Sequence, residues 1–269
     1  MGVNVAMAAV SVVLAASPGG YVASHQQADG GFAEPGGQSE PALTAWATLG
    51  LVASGQKPTG PTGEYLAGKP VSGAGDLALR ILALDALGRD TSAEVARLEA
   101  LRRPDGRIGS LVNSTIWGVL ALRGTDRPAT ASVRYLLRAQ HRSGGWAWYP
   151  RGAPDSNDTA AALEALSAGR VRPRSRPIRR GLAYLRRLQR RDGGFALVPG
   201  RASDAQSTAW AIQAFLAAGR QPGRPAFRYL AGLRRPDGSF RYSKRYATTP
   251  VWVTAQVLPA LARRPFPLG

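Results

Sequence analysis

The chain has 269 residues, 44% of them hydrophobic, which is enough to bury the core of one large domain or two small ones. It contains no cysteine, so disulfides, thiolate zinc sites and thiol nucleophiles are excluded. The formal net charge is +18, and because only three of the 35 basic residues are lysine, the excess indicates either a codon usage rich in arginine or attraction to an anionic surface.

The N-terminus carries an apolar run, 5–16, that is short for a membrane span and has the length of a signal-peptide core. No basic residue precedes the run, and Pro18 is a poor neighbour for cleavage after Ser17. We expect 1–18 to be an export signal, with a first helix of the fold as the alternative. The rest, 19–269, is predicted to be one domain. Export would make the protein secreted or envelope-associated, whereas a first helix would leave it cytoplasmic.

A phrase with an aromatic–aliphatic pair and a glycine-containing turn recurs along the chain. The copies occupy 21–32, 97–108, 135–146, 184–195 and 229–240, with an eroded copy from Tyr65. Three of them, such as YLRRLQRRDGGF at 184–195, have a glutamine and then Gly–Gly–aromatic. Apolar residues three and four apart, with arginines opposite them, predict an amphipathic outer helix in each copy. The spacing gives six units.

Each turn is followed by a phrase rich in alanine and leucine that is apolar almost all round. Four of these phrases begin at Thr44, Thr115, Thr159 and Thr208, and most end at glycine. This pattern predicts a helix with an N-cap and a glycine stop, buried on both sides. We therefore predict six helical hairpins, about twelve helices, in two concentric rings. The outermost units keep the motif, which favours a closed barrel over an open solenoid.

The densest basic run is RVRPRSRPIRRGLAYLRRLQRR at 170–191, whose first half is interrupted by Pro173 and Pro177 and is predicted to be an exposed linker. No zinc-finger spacing or RNA-binding aromatic signature accompanies it, so nucleic acid is not an expected partner. The charge favours an anionic membrane or envelope polymer as an alternative partner. The oligomeric state is left open by the sequence.

The repeat RGLAYLRRLQRRDGGF at 180–195 resembles the QW repeat of squalene and other triterpene cyclases, and YLLRAQHRSGGW at 135–146 carries the tryptophan itself. The resemblance extends from about Tyr21 to Leu261. It implies an all-α fold, the α/α toroid that terpene cyclases share with protein prenyltransferase β subunits. Triterpene cyclases use two such barrels, whereas this chain offers one.

The glutamines and aromatics of the repeat are predicted to be structural. A glutamine at the end of one helix can satisfy free backbone groups of the next unit while the aromatic packs over it. Gly–Gly permits the positive φ of a sharp turn. The residues concerned are Gln26, Gln140, Gln189, Phe32, Trp146 and Phe195.

The segment DSNDTA at 155–160 resembles the D-x-D-D-T motif of class II terpene cyclases. In that motif the middle aspartate donates the proton that starts cyclisation. Asp155 and Asp158 match, but Asn157 stands at the proton donor's position, and an amide is not a strong acid. Similar polar residues precede the helices at 115 and 208, so the segment also reads as a helix cap. We expect the cap, with a retained catalytic role for Asp155 or Asp158 as the alternative.

Aromatic residues are the candidates for ligand binding. Trp46, Trp117, Trp210 and Trp252 are predicted at one level of four buried helices, where they either fill the core or line an aromatic funnel. Trp148 and Tyr149 belong to a loop expected at its mouth. Without cysteine, and with only His25 and His141, the chain lacks the zinc site of the prenyltransferases, and no metal or cofactor is predicted.

The sequence thus predicts a barrel that binds an isoprenoid-like or other apolar molecule, or serves as a scaffold, without catalysis. One alternative is a small class II terpene cyclase-like enzyme. The other is a basic protein that binds an envelope or membrane surface.

Overall fold

A computed structural model describes residues 17–268. The predicted signal at 1–18 therefore lies almost entirely outside the described residues. Six outer helices are amphipathic: α1 Pro18–Ala23, α3 Thr62–Gly68, α5 Ser92–Ala100, α7 Thr130–Ala139, α9 Arg176–Leu188 and α11 Arg224–Ala231. Six inner helices alternate with them: α2 Pro41–Ala53, α4 Ala74–Ala86, α6 Val112–Gly124, α8 Ser156–Ala168, α10 Ala205–Ala217 and α12 Pro250–Leu261. Two short antiparallel strands, β1 Phe195–Ala196 and β2 Ser203–Asp204, connect α9 to α10.

The inner helices form a closed ring. Each packs against the next in chain order, and α12 packs against α2. The outer helices lie in the grooves between them, with α1 between α12 and α2. Glu34 of the first unit fastens the closure, because its carboxylate accepts the backbone N–H groups of Val251 and Trp252 at 3.0 and 2.8 Å, at the N-terminus of α12. The predicted α/α toroid is confirmed.

The Gly–Gly turn carries each outer helix sharply into the loop before its inner helix. Gly144 has φ of +99°, and a Cβ there would lie 2.6 Å from the Arg180 carbonyl oxygen of the next unit, so only glycine fits. Gln140 donates to the carbonyl oxygens of Gly144 and Pro177 at 2.8 and 2.9 Å. The glutamine therefore ties its own turn to the start of α9, which is the role expected from the sequence. Gln26 likewise donates to Thr62, at the start of α3, at 2.7 Å.

The repeated threonines do not cap the inner helices as predicted. Each lies one turn inside its helix, where its hydroxyl accepts the backbone N–H of the turn's aromatic or aliphatic residue. This bond is 2.8 Å from Phe32 to Thr44, 2.9 Å from Trp146 to Thr159 and 2.9 Å from Phe195 to Thr208. The threonine thus fixes the turn to the inner helix. The side-chain caps lie four residues earlier, at Asp155 and Asp204.

The threonine position sets which side chains face the barrel axis, because residues two before, two after and five after it share one helix face. The mouth layer, two before, comprises Ala42, Gly75, Asn113, Asn157, Gln206 and Trp252. The tryptophan layer, two after, comprises Trp46, Leu79, Trp117, Ala161, Trp210 and Gln256. The lower layer, five after, comprises Leu49, Leu82, Leu120, Glu164, Gln213 and Pro259. In α4, which has no threonine, Leu77 takes its place. No helix among residues 17–268 is long and apolar enough to cross a bilayer.

We predict that Thr159→Val destabilises the fold by about 1–3 kcal/mol, because valine keeps the shape but leaves the buried Trp146 N–H without an acceptor. Urea unfolding followed by far-ultraviolet circular dichroism measures the loss. Thr130→Val, at the exposed start of α7, is the matched control and should change stability by less than about 0.5 kcal/mol. Equal losses in the two variants would contradict the role given to the threonine.

Candidate ligand-binding cavity

A cavity of about 840 Å³ opens at the N-terminal ends of the inner helices. All twelve residues of the mouth and tryptophan layers line it, together with Trp148 and Leu197 from the loops. Its volume lies within the roughly 300–1,000 Å³ typical of small-molecule sites. The barrel therefore holds one axial site large enough for a ligand.

Three tryptophans form its floor. Trp46, Trp117 and Trp210 pack edge to face, with ring centroids 5.2, 5.5 and 5.6 Å apart. Trp252 lines the cavity too, but one turn nearer the mouth, so its predicted level was wrong. Gln256 holds the matching position in α12, since Thr254, not Thr249 at the helix start, binds the turn.

The two aromatic residues of the loop, Trp148 and Tyr149, differ in their position. Trp148 lines the mouth, as expected, and its carbonyl oxygen accepts the backbone N–H of Val112 at 3.1 Å, which holds the loop against α6. Tyr149 is 61% exposed and does not line the cavity, so its prediction as a ligand-binding residue at the mouth was wrong. It points to solvent because the chain turns back at Gly152, whose N–H bonds to the Tyr149 carbonyl oxygen.

The far end of the barrel is closed by the C-terminal segment. The Phe266 ring lies 6.0, 6.3 and 5.9 Å from the rings of Trp46, Trp117 and Trp210. Its backbone N–H donates to Glu164 Oε2 at 2.7 Å. Glu164 is fully buried, and that burial raises its pKa well above the usual range, with the Phe266 hydrogen bond opposing the shift in part. The shift favours the neutral form of the carboxyl group that anchors the plug.

The Asp155–Asp158 pair sits at the start of α8. Asp155 is the N-cap, and its carboxylate accepts the Asp158 backbone N–H at 2.8 Å. The sequence placed a cap in this segment, and the capping residue is Asp155, not Asp158. Asp158 is 3% exposed, lines the cavity and accepts the Asn113 amide at 2.7 Å.

Asp158 retains its proton at neutral pH. Burial raises its pKa to about 8, the negative charge of Asp155 adds to the rise, and the Asn113 amide opposes it. The next unit has a corresponding contact. Ser207, at the position equivalent to Asp158, donates its hydroxyl to the N-cap Asp204 at 2.8 Å. A protonated Asp158 can serve Asp155 as Ser207 serves Asp204. Burial raises the pKa of Asp155 and of Asp204 as well, the latter to about 6.

Comparison with known proteins agrees with this geometry. The model of the squalene-hopene cyclase C-terminal domain family matches residues 112–252, just over half of the chain. The chain belongs to this family. No curated protein matches it.

Solved structures share the squalene-hopene cyclase fold at low sequence identity. A protein from Actinoplanes is 19% identical with a TM-score of 0.69, covering 95% of this chain and 98% of its own. The type II terpene cyclase MstE from Scytonema, in complex with geranylgeranyl dihydroxybenzoate, is 16% identical with a TM-score of 0.68, covering 95% and 96%. A glycosidase in complex with glucose is 14% identical with a TM-score of 0.66, covering 95% and 97%. These likenesses establish the fold alone.

Several polar groups of this squalene-hopene cyclase-type cavity were missed by sequence reasoning. Gln256 Oε1 accepts from Gln206 Nε2 at 2.8 Å and from Trp210 Nε1 at 2.9 Å, which joins α10 to α12 across the lining. Asn113 and Glu164 were missed too. Alignment of the inner phrases on their turn-binding threonines would have found Gln256, because a glutamine then replaces a tryptophan.

We predict that stability falls as pH rises from about 4 to about 8. Folded Asp158 keeps its proton up to pH about 8, whereas an unfolded aspartate loses it near 3.9. The folded state therefore binds more protons in this window, and the free energy of unfolding decreases with pH. Asp158→Asn is neutral throughout and keeps the acceptor for Asn113, so it should flatten the fall and raise Tm at pH 8.

Thermal unfolding of wild type and variant between pH 5 and 8 measures the difference. Glu164→Gln, which also keeps its acceptor for the Phe266 N–H, should remove a further part of the slope. Parallel pH profiles for wild type and Asp158→Asn would contradict a protonated Asp158.

Proposed function

We propose that the protein binds an elongated apolar molecule of the isoprenoid class in the axial cavity and does not cyclise it. The floor of three tryptophans, sealed from below by Phe266, carries the proposal. Indole faces and edges offer a large rigid apolar surface, which suits a flat or chain-like hydrocarbon. Leu79 and Ala161 add apolar surface in the same layer, and Leu111 adds apolar surface nearer the mouth.

Apart from Gln256, whose oxygen already accepts from Gln206 and Trp210, the polar groups of the lining lie near the mouth and favour a ligand with one polar end. Asn157, Asp158 and Gln206 line the cavity above the tryptophan layer. A neutral carboxyl group and two amides can donate and accept hydrogen bonds without a net charge. A hydroxyl or carbonyl group at the head of an isoprenoid matches them.

The acid chemistry supports binding over cyclisation. Asn157, at the position that resembles the proton donor of class II cyclases, has no acidic proton. The pKa of its neighbour Asp158 is about 8. Proton transfer to an alkene requires a far stronger acid, since the rate depends on the driving force for that transfer.

Relatives by fold bind different ligands, and the lining of this cavity supports one of these ligand classes over the other. MstE is complexed with a geranylgeranyl compound and the glycosidase with glucose. Sugar sites need many hydrogen-bonding groups along the ligand, whereas the tryptophan layer here consists of three tryptophans, Leu79 and Ala161, with Gln256 as its one polar member. This contrast favours the isoprenoid.

A small class II cyclase-like enzyme is the second candidate. The observation in its favour is the protonated Asp158 next to Asp155 in the cavity wall, which places a transferable proton beside the bound ligand. The two candidates share the ligand class and differ in turnover, so separate experiments test them.

Binding is tested by titrating geranylgeraniol while following tryptophan fluorescence, and we predict saturation. Ala161→Leu fills the tryptophan layer and should weaken binding at least about tenfold, equivalent to about 1.4 kcal/mol. Leu79→Met conserves volume in the same layer and should change affinity less than about threefold. Failure to saturate, or saturation by glucose instead, would contradict the proposed ligand class.

Turnover is tested by incubation with squalene, oxidosqualene and geranylgeranyl diphosphate, followed by gas chromatography. We predict no cyclic product from the wild type. Asn157→Asp completes the D-x-D-D-T motif and should permit trace cyclisation where the cavity accepts the substrate. Robust cyclisation by the wild type that disappears in Asp158→Asn would establish the enzyme and overturn the non-catalytic assignment.

A further inference from the structure

The excess of basic over acidic residues is confined to the second half of the chain. Residues 1–127 contain 10 basic and 11 acidic residues, whereas residues 128–269 contain 25 basic and 6 acidic residues. The halves therefore carry net charges of −1 and +19, which together give the +18 of the whole chain. A general preference for arginine codons would not leave half of the chain neutral.

The fold places the basic residues of the second half on one side of the barrel. The second half supplies α7, α9 and α11, which are three consecutive members of the outer ring. Thirteen exposed arginines lie on these helices or in the turns directly after them. Six belong to the α9 unit: Arg176, Arg179, Arg186, Arg187, Arg190 and Arg191. The exposed arginines of these units therefore lie on one side of the barrel.

Carboxylates neutralise little of this surface, because only Asp192 and Asp237 are exposed in its turns, against thirteen arginines. Three of the six acidic residues of the second half, Asp158, Glu164 and Asp204, are buried inside the barrel. The first half differs, because its arginines have acidic neighbours at the surface, such as Arg89 with Glu64 at 2.9 Å and Arg127 with Glu99 at 3.5 Å.

Hydrogen bonds to backbone carbonyls hold part of the surface in place. Arg180 donates to the carbonyl oxygens of His141 and Arg142 at 3.1 and 2.6 Å, and Arg187 donates to that of Ser143 at 2.7 Å. These bonds bring guanidinium groups of α9 against the turn after α7. The charges of neighbouring units therefore lie side by side.

We propose that the α7–α9–α11 face binds a flexible linear polymer of phosphate groups. Guanidinium groups match phosphate oxygens in paired hydrogen bonds, and most of the basic residues here are arginine. The outside of a ring is convex, so a flexible chain can follow the arginines from helix to helix, whereas a flat bilayer touches a narrow strip. None of the exposed large hydrophobic residues found in 17–268 lies on these helices, and the aromatics Tyr135 and Phe227 on them are partly buried, so the face offers little for insertion into a bilayer or for stacking on bases.

This surface is separate from the axial cavity, because no residue of α7, α9 or α11 lines that cavity. Binding of a polymer outside and of an apolar ligand inside can be measured independently. If polymer binding is not observed, the proposal for the axial cavity is unaffected, and the reverse also holds.

The test is binding of fluorescently labelled inorganic polyphosphate, measured by anisotropy at increasing salt. We expect tight binding that falls linearly with the logarithm of the salt concentration. Arg179→Gln, Arg190→Gln and Arg191→Gln combined should weaken binding about tenfold at low salt and reduce the magnitude of the slope by about 2. Arg89→Gln, Arg103→Gln and Arg127→Gln combined remove the same charge from the other half and should change affinity less than about twofold.

Equal losses in the two triple variants would mean that net charge alone drives binding and would overturn the assigned face. Tighter binding to phosphatidylglycerol vesicles, or to single-stranded DNA, than to polyphosphate at equal phosphate concentration would also overturn the proposal. Unchanged circular dichroism and an unchanged Tm establish that each variant is folded.

Discussion

The hydrogen bond from a turn N–H to a threonine hydroxyl one turn inside the inner helix is the contact on which the barrel is built. It occurs in five units, at 2.8 to 3.0 Å, and is buried in each. A buried N–H without an acceptor would cost free energy, so the bond fixes both the height and the rotation of the helix relative to its turn. Rotation in turn determines which residues face the axis. The layers of the cavity are therefore a consequence of where the threonine stands.

The same register explains why one unit can carry an unusual group. The residue directly before the threonine faces the N-cap of its own helix. Ser207 at this place satisfies the Asp204 cap with its hydroxyl, at little cost. Asp158 at the same place meets a carboxylate and must keep its proton to do the same. A buried carboxyl group with a raised pKa thus follows from one serine-to-aspartate difference between two units, without a dedicated acid site. The raised pKa of Asp158 is thus explained by its place beside the helix cap. An aspartate pair at this position is therefore weaker evidence for catalysis.

The sequence was sufficient to predict the architecture because the same pattern of outer helix, turn and inner helix occurs in six units. Helix type, burial and ring closure all follow from periodic apolar residues and from the turn glycines. The register within each unit was not predictable in the same way. Threonine before an apolar run is the usual sign of an N-cap, and only the position of the turn's backbone reveals that Asp155 and Asp204 hold that role. Contacts between units, such as Asn113 with Asp158, depend on the relative height of neighbouring helices, which no single phrase encodes. Phe266 lies outside every repeat and carried no signal.

A ring of six inner helices leaves an axial hole, and the way this hole is filled decides what the barrel can hold. At the C-terminal ends of the helices, Phe266 enters from outside the repeats and supports the three tryptophans from below. Its backbone would be costly to bury there without an acceptor, and Glu164 supplies one. Burial raises the pKa of this carboxyl group and so favours the neutral form, which is the form that is less costly to bury beside the plug. With this end closed by a phenylalanine held at a fixed height, the tryptophans cannot sink along the axis. The depth of the cavity, and with it the length of apolar ligand that fits, therefore depends both on the threonine register, which places the tryptophans, and on a segment that belongs to none of the six repeats.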